Sequence, residues 1–190
     1  MMGNIKTGDN FAGALIYALD LNKRNNKEVR FLAAEGVDLR FTHGKNGKSN
    51  YDIRSMSRDF CLQAKLNPKV SKPVKHISLS WPPEDLTRLT DQEMMSAARE
   101  YMKRMGYVNT QFIAVRHLEK DNPHLHLVIN AVNNDGRKIS DSNERIRNGK
   151  ICKDITFERN YTFGCHKSVS QAEDITSEKE RARYKISQET

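Results

Sequence analysis

The chain has 190 residues, with 32 lysines and arginines against 24 aspartates and glutamates, a net charge of +8 and a pI near 9.4. That length suits one domain with a substantial core, and the basic excess favours a polyanionic partner, nucleic acid first. Three widely spaced cysteines without a Cys-x-x-Cys pair argue against a disulfide framework or zinc ribbon and fit a reducing compartment; no apolar stretch approaches the roughly 18 residues of a membrane span, and no signal-peptide apolar region is expected.

In chain order, Met1 to Lys6 suits a short strand, and Asp9 or Asn10 offers an N-cap for a helix whose buried stripe is Phe11, Ala14, Leu15, Ala18 and Leu19. Tyr17 borders that stripe; periodicity alone makes it a rim residue with its hydroxyl in water. Val29 to Val37 is a weak strand signal, and Phe41 to Ser49, with two glycines and basic residues, reads as a flexible loop. Ser49 to Asp52 starts a second helix with Tyr51, Ile53, Met56, Phe60 and Ala64 on one face, stopped by Pro68. From Lys65 to Lys75 runs a basic connector. Val74 to Trp81 alternates, with Lys75, Ile77, Leu79 and Trp81 on one face and His76, Ser78 and Ser80 on the other, where they can contact phosphate oxygens or bases. Thr90 to Glu93 is a capping box before a helix with the stripe Met94, Ala97, Ala98, Tyr101, Met102 and Met105, ended by Gly106.

The next stretch, Gln111 to Val132, predicts a hairpin with three of the chain's six histidines. In its second strand His124, His126, Val128 and Asn130 share one face, and Leu125, Leu127, Ile129 and Ala131 the core face. An even-numbered connection over 118–123 sets His117 opposite His124, so three imidazoles converge and can hold one divalent ion with positions left open. Ligand preference favours Zn, Mn or Ni. Ser140 to Ile155 reads as a helix bearing Arg145, Arg147, Lys150 and Lys153, a set able to hold a DNA backbone or simply face solvent. Residues 166–190 hold five basic and five acidic residues and few apolar ones, so they read as a polar tail or linker after a domain of residues 1–165. The element pattern predicts an α/β fold of the α+β type: a mostly antiparallel central sheet flanked by helices, the histidine hairpin at its centre.

These residues resemble the relaxases, or mobilisation nucleases, of the His-hydrophobic-His endonuclease superfamily. His117, Glu119, His124, Leu125, His126 and Asn130 match the family's histidine motif, the segment Asn10 to Tyr17 resembles the motif with its nucleophilic tyrosine, and His76 to Pro82 resembles its serine strand. Rolling-circle replication initiators instead carry a Tyr-x-x-Lys helix after the histidines, which neither Tyr161 nor Tyr184 matches.

The resemblance implies nicking and rejoining of single-stranded origin-of-transfer DNA in a bacterial cytoplasm, with accessory relaxosome and secretion-coupling proteins as further partners and no membrane. It implies Tyr17 as nucleophile, with Tyr51 in reserve, Asn130 among the DNA-facing residues, and activity with Mg or Mn; Zn or Ni would be crystal occupants. A phenol of ordinary acidity is only about 0.1% ionised at pH 7, so positive charge or a base must favour the phenolate. Glu119 or Asp121 is expected to orient a ligand imidazole or act as the base. The rivals are a non-catalytic DNA-binding module with a structural ion, a rolling-circle initiator and a small-phosphoester hydrolase.

Overall fold

The computed structural model describes residues 1–21, 28–43, 49–118 and 123–163. Five strands form one antiparallel sheet: β1 (Met2–Gly8), β2 (Val29–Glu35), β5 (Val74–Ser80), β6 (Phe112–His117) and β7 (His124–Asn130), in the order β1-β5-β7-β6-β2. A separate pair, β3 (Phe41–His43) and β4 (Ser49–Tyr51), occupies the ends of the segment read as a loop. Residues 44–48 between them lie outside the described part of the chain.

Helices cover both faces of the sheet. On one lie α1 (Phe11–Ala18) and α2 (Ile53–Ala64), whose Phe11, Leu15, Met56 and Phe60 pack with Ile113, Val115 and Val128. On the other lie α3 (Asp91–Met105) and α4 (Glu144–Glu158), with Met94, Tyr101 and Ile155 against Ile77, Leu79, Leu125 and Leu127. Strand β7 therefore has two buried faces, whereas the sequence assigned only one to the core. The second core forms because the stripe of α1 and the stripe of α2 need an apolar surface, and β6 supplies Ile113 and Val115 beside Val128.

The local signals explain the helix boundaries. Asn10 caps α1 by accepting from the Gly13 amide at 2.9 Å, Asp52 caps α2 by accepting from Ser55 at 3.0 Å, and Gly106, at φ 86°, ends α3 in the left-handed region. Only half of the expected capping box forms: Thr90 accepts from the Glu93 amide, but the Glu93 carboxylate accepts from the Tyr161 hydroxyl at 2.5 Å and from Arg159 at 3.1 Å. Those partners tie α3 to the chain after α4 and hold the Glu93 carboxyl below its ordinary range. Helix α4 begins four residues later than the sequence suggests, after Asn143 turns the backbone with φ 49°. The proposed tail, 166–190, lies outside the described residues. Among the described residues no helix is long and apolar enough to cross a membrane.

Candidate metal centre

The register of the hairpin decides the site. His117 of β6 pairs directly with His124 of β7, and His126 follows two residues on, so all three rings share the α1 face of the sheet. Their ring centroids lie 4.7 Å (117–124), 4.4 Å (117–126) and 5.0 Å (124–126) apart. Each contributes a nitrogen, and the three ligand atoms lie within 4.8 Å of one another. The residues are only 3%, 8% and 5% exposed, respectively.

The donor set fits a divalent ion. The Ala18 carbonyl at the end of α1 lies 2.8 Å from His117 Nε2 and can only accept, so Nε2 carries the proton and the lone pair sits on Nδ1. His126 Nδ1 lies 3.0 Å from His76 Nε2 on β5. Neutral imidazoles ordered by such outer partners are what a metal with nitrogen ligands requires.

Strand β5 brings its polar face alongside. Ser78 pairs with His126 and Ser80 with His124, so both hydroxyls and His76 lie on the triad's side of the sheet, half-buried. His76 is pushed down to about 4 by burial first, then by the positive charge of Lys6 and by His117, so it is neutral at physiological pH. Tyr17, on α1, is 58% exposed, and its ring stands edge-on at 5.2 Å from His76 and 5.6 Å from His126. Lys6 Nζ lies 5.9 Å from the Tyr17 ring centroid. Lys6 pairs with His76 across β1 and β5, and Asn4 pairs with Ser78, which extends the polar face to the sheet edge as an exposed row. The sequence reading missed Lys6 and Asn4; the signal was available in β1, where they alternate with Ile5.

Other expected residues fall elsewhere. Asn130 shares the triad's face but is wholly buried: Nδ2 donates to the Phe60 carbonyl (3.0 Å) and Gln111 Oε1 (3.2 Å), and Oδ1 accepts from the Val132 amide (3.1 Å). Its polar atoms tie α2 to the end of β7, so it is a packing residue and not a DNA contact. Arg145, Arg147 and Lys150 sit on α4, with the sheet between them and the triad. Arg147 donates to the carbonyls of Met105, Ser140 and Ser142, closing the end of α3 against the start of α4. Arg145 and Lys150 are exposed there. Tyr51 lies against Phe31 and Phe41, at 6.2 and 5.1 Å between ring centroids. Glu119 and Asp121 lie outside the described residues.

The sequence profile of the family described as "Relaxase: MobA/VirD2-like, nuclease domain" matches residues 33–161, more than half of the chain. That match begins after Tyr17. A search of curated proteins finds no significant match. Among solved structures, the chain resembles an Mn-bound crystal structure of the MobM relaxase domain with 22 nucleotides of plasmid pMV158 oriT DNA, at 12% identity and a TM-score of 0.51 over 95% of this chain and 99% of that one. A second Mn-bound crystal structure of the same domain, with 23 nucleotides, gives 12% identity and a TM-score of 0.48 over 96% and 99%. The first of these likenesses is one of fold. With the histidine hairpin central to an antiparallel sheet and the family profile running from within β2 to just past α4, the chain belongs to the MobA/VirD2-like relaxase family and carries its nuclease domain.

Proposed function

We propose that this domain nicks and rejoins one strand of DNA at an origin of transfer by transesterification, with Tyr17 as the nucleophile. The observation that carries the reading is the position of Tyr17: an exposed phenol whose ring lies 5.6 Å from that of a buried histidine of the triad. In the forward step the Tyr17 oxygen bonds to the scissile phosphorus and the bond from phosphorus to the 3′ oxygen breaks. A 5′-phosphotyrosyl link and a free 3′-hydroxyl result. The phenolic proton leaves to a base, for which Glu119 or Asp121 is the candidate, and the departing 3′ oxygen takes up a proton from that protonated base or from water. Rejoining is the reverse attack by a 3′-hydroxyl on the same phosphorus, so the phosphodiester bond is conserved and not hydrolysed.

The chain's own groups supply position and charge. Lys6 places a cation beside the ring where negative charge develops. Ser78, Ser80 and Asn4 offer neutral hydrogen-bonding groups along the path beside the triad, suited to the sugar-phosphate backbone or base edges of a single strand. His117, His124 and His126 would hold one divalent ion, Mn or Mg, which when bound supplies Lewis-acid charge at a non-bridging phosphate oxygen. The fold shared with an Mn-bound, oriT-bound relaxase domain supports the choice of ion and of substrate.

The test is to incubate the protein with single-stranded cognate origin DNA and Mn or Mg and to resolve the products on a denaturing gel. A covalent protein–DNA adduct that disappears in Tyr17→Phe is expected. With no adduct, DNA binding alone would mark a non-catalytic module; an adduct that persists in Tyr17→Phe assigns the nucleophile elsewhere, with Tyr51 next in line.

A further inference from the structure

We propose that His76 is a positioning residue for the metal site: its Nε2 accepts the proton of His126 Nδ1–H across 3.0 Å and so fixes His126 in the tautomer that presents Nε2 to the ion. The inference rests on the reading of the triad as a metal centre and assigns His76 a task other than contacting DNA.

Two tautomeric arrangements satisfy a 3.0 Å contact between two imidazole nitrogens. If His76 donates, His126 keeps its proton on Nε2 and has no lone pair there for a ligand bond. If His126 donates, Nε2 is a ligand atom. Only the second leaves the triad complete, and it parallels His117, whose proton is drawn to the Ala18 carbonyl. Two of the ligands thus have an acceptor aimed at them: a backbone carbonyl from α1 for His117 and an imidazole from β5 for His126.

His76 is placed where it can accept from His126. It is half-buried on β5, its cross-strand neighbour on β1 is Lys6, and its ring lies 5.1 Å from that of His126 with a 34° tilt. A carboxylate in this place would accept the same proton but add a negative charge beside an incoming phosphate, whereas an imidazole orders the ligand without repelling the substrate.

The experiment uses the DNA-free protein, so that DNA contacts do not enter. Mn2+ is titrated by calorimetry into wild type, His76→Met and His76→Gln, each checked for fold by circular dichroism, and the His126 tautomer is read in wild type from 15N NMR of the imidazole nitrogens. Loss of the acceptor in His76→Met should weaken Mn2+ binding by about 10- to 100-fold, the usual effect of removing a ligand's outer partner. His76→Gln, whose Oε1 can accept the same hydrogen bond, should stay within about threefold of wild type. A folded His76→Met that binds Mn2+ as wild type does overturns the proposal, as does an Nε2–H proton on His126; if His76→Met does not fold, the wild-type tautomer decides. Wild type that binds no Mn2+ at all brings down the metal reading itself, which separates that failure from failure of the positioning role alone.

Discussion

The two faces of β7 do opposite work with alternate residues of the same seven. Toward α3 and α4 it presents Leu125, Leu127 and Ile129, which join Ile77, Leu79, Met94 and Tyr101 in an apolar core. Toward α1 and α2 it presents His124, His126, Val128 and Asn130, all buried but three of them polar. Burying an imidazole or amide costs free energy unless its polar atoms find partners. On this face the Phe60 carbonyl and Gln111 serve Asn130, the Ala18 carbonyl serves His117, and His76 serves His126. Apolar packing on the α3 and α4 side holds the strand in place, while on the α1 and α2 side, beside Val128, the polar side chains are committed to the geometry of their partners.

Substitutions on the two faces should separate these properties. The largest effect expected is from His124→Ala, which should reduce adduct formation by about a thousandfold or more through loss of a ligand to the ion, with little change in melting temperature; a matching collapse of the fold would erase the division between faces. On the other side, Leu127→Ala should cost about 2–5 kcal/mol of stability, as large-to-small changes in a packed core do. Its folded fraction should still bind Mn2+ normally, which calorimetry below the melting transition can check.

Asn130→Ala probes the boundary, because it is polar yet placed on the structural account. It should cost about 1–3 kcal/mol by leaving buried partners unsatisfied, while DNA affinity of the folded protein holds in a gel-shift assay; lost affinity there would return Asn130 to the DNA-facing group. Glu93 tests the apolar side's periphery by pH. Its carboxyl is held below the ordinary 4.5 by the Tyr161 hydroxyl first and then by Arg159, so its contribution is present above 4.5 and is lost as pH falls through the lowered folded value. Thermal melts of Glu93→Gln should show a flatter loss of stability through that acid range than wild type, and parallel curves would remove Glu93 from the account.

The smallest contrast concerns charge. Lys6→Ala, on the triad's side, should weaken single-strand binding by about three- to tenfold at low salt, whereas the double replacement Arg145→Ala with Lys150→Ala, across the sheet, should change it less than about twofold. Fluorescence anisotropy as a function of salt would read both, and the reverse ranking would move the DNA path to α4.

Period and capping chemistry make much of this legible in the residues alone. Alternation at two residues places His76, Ser78 and Ser80 together, and the six-residue connection sets His117 opposite His124, which is the register found. Asn10, Thr90 and Gly106 mark helix ends because their side chains or φ values act on adjacent backbone. Features that depend on groups distant in sequence are not legible in this way. Glu93 is expected to fold back on Thr90 but meets Tyr161 and Arg159 instead, and the Met105 carbonyl that Arg147 meets lies far from it in the chain.

The hairpin, its register and the face on which three imidazoles gather are properties of the local sequence, since they follow from the pleat and the length of one connection. What stands around them is set by tertiary packing: α1 laid over the sheet so that the Ala18 carbonyl meets His117 and the Tyr17 ring reaches His76 and His126, β1 paired with β5 so that Lys6 joins them, and α4 placed on the far side. Helix docking and strand order are set by the sum of many apolar contacts between segments far apart in the chain, and no local periodicity records that sum.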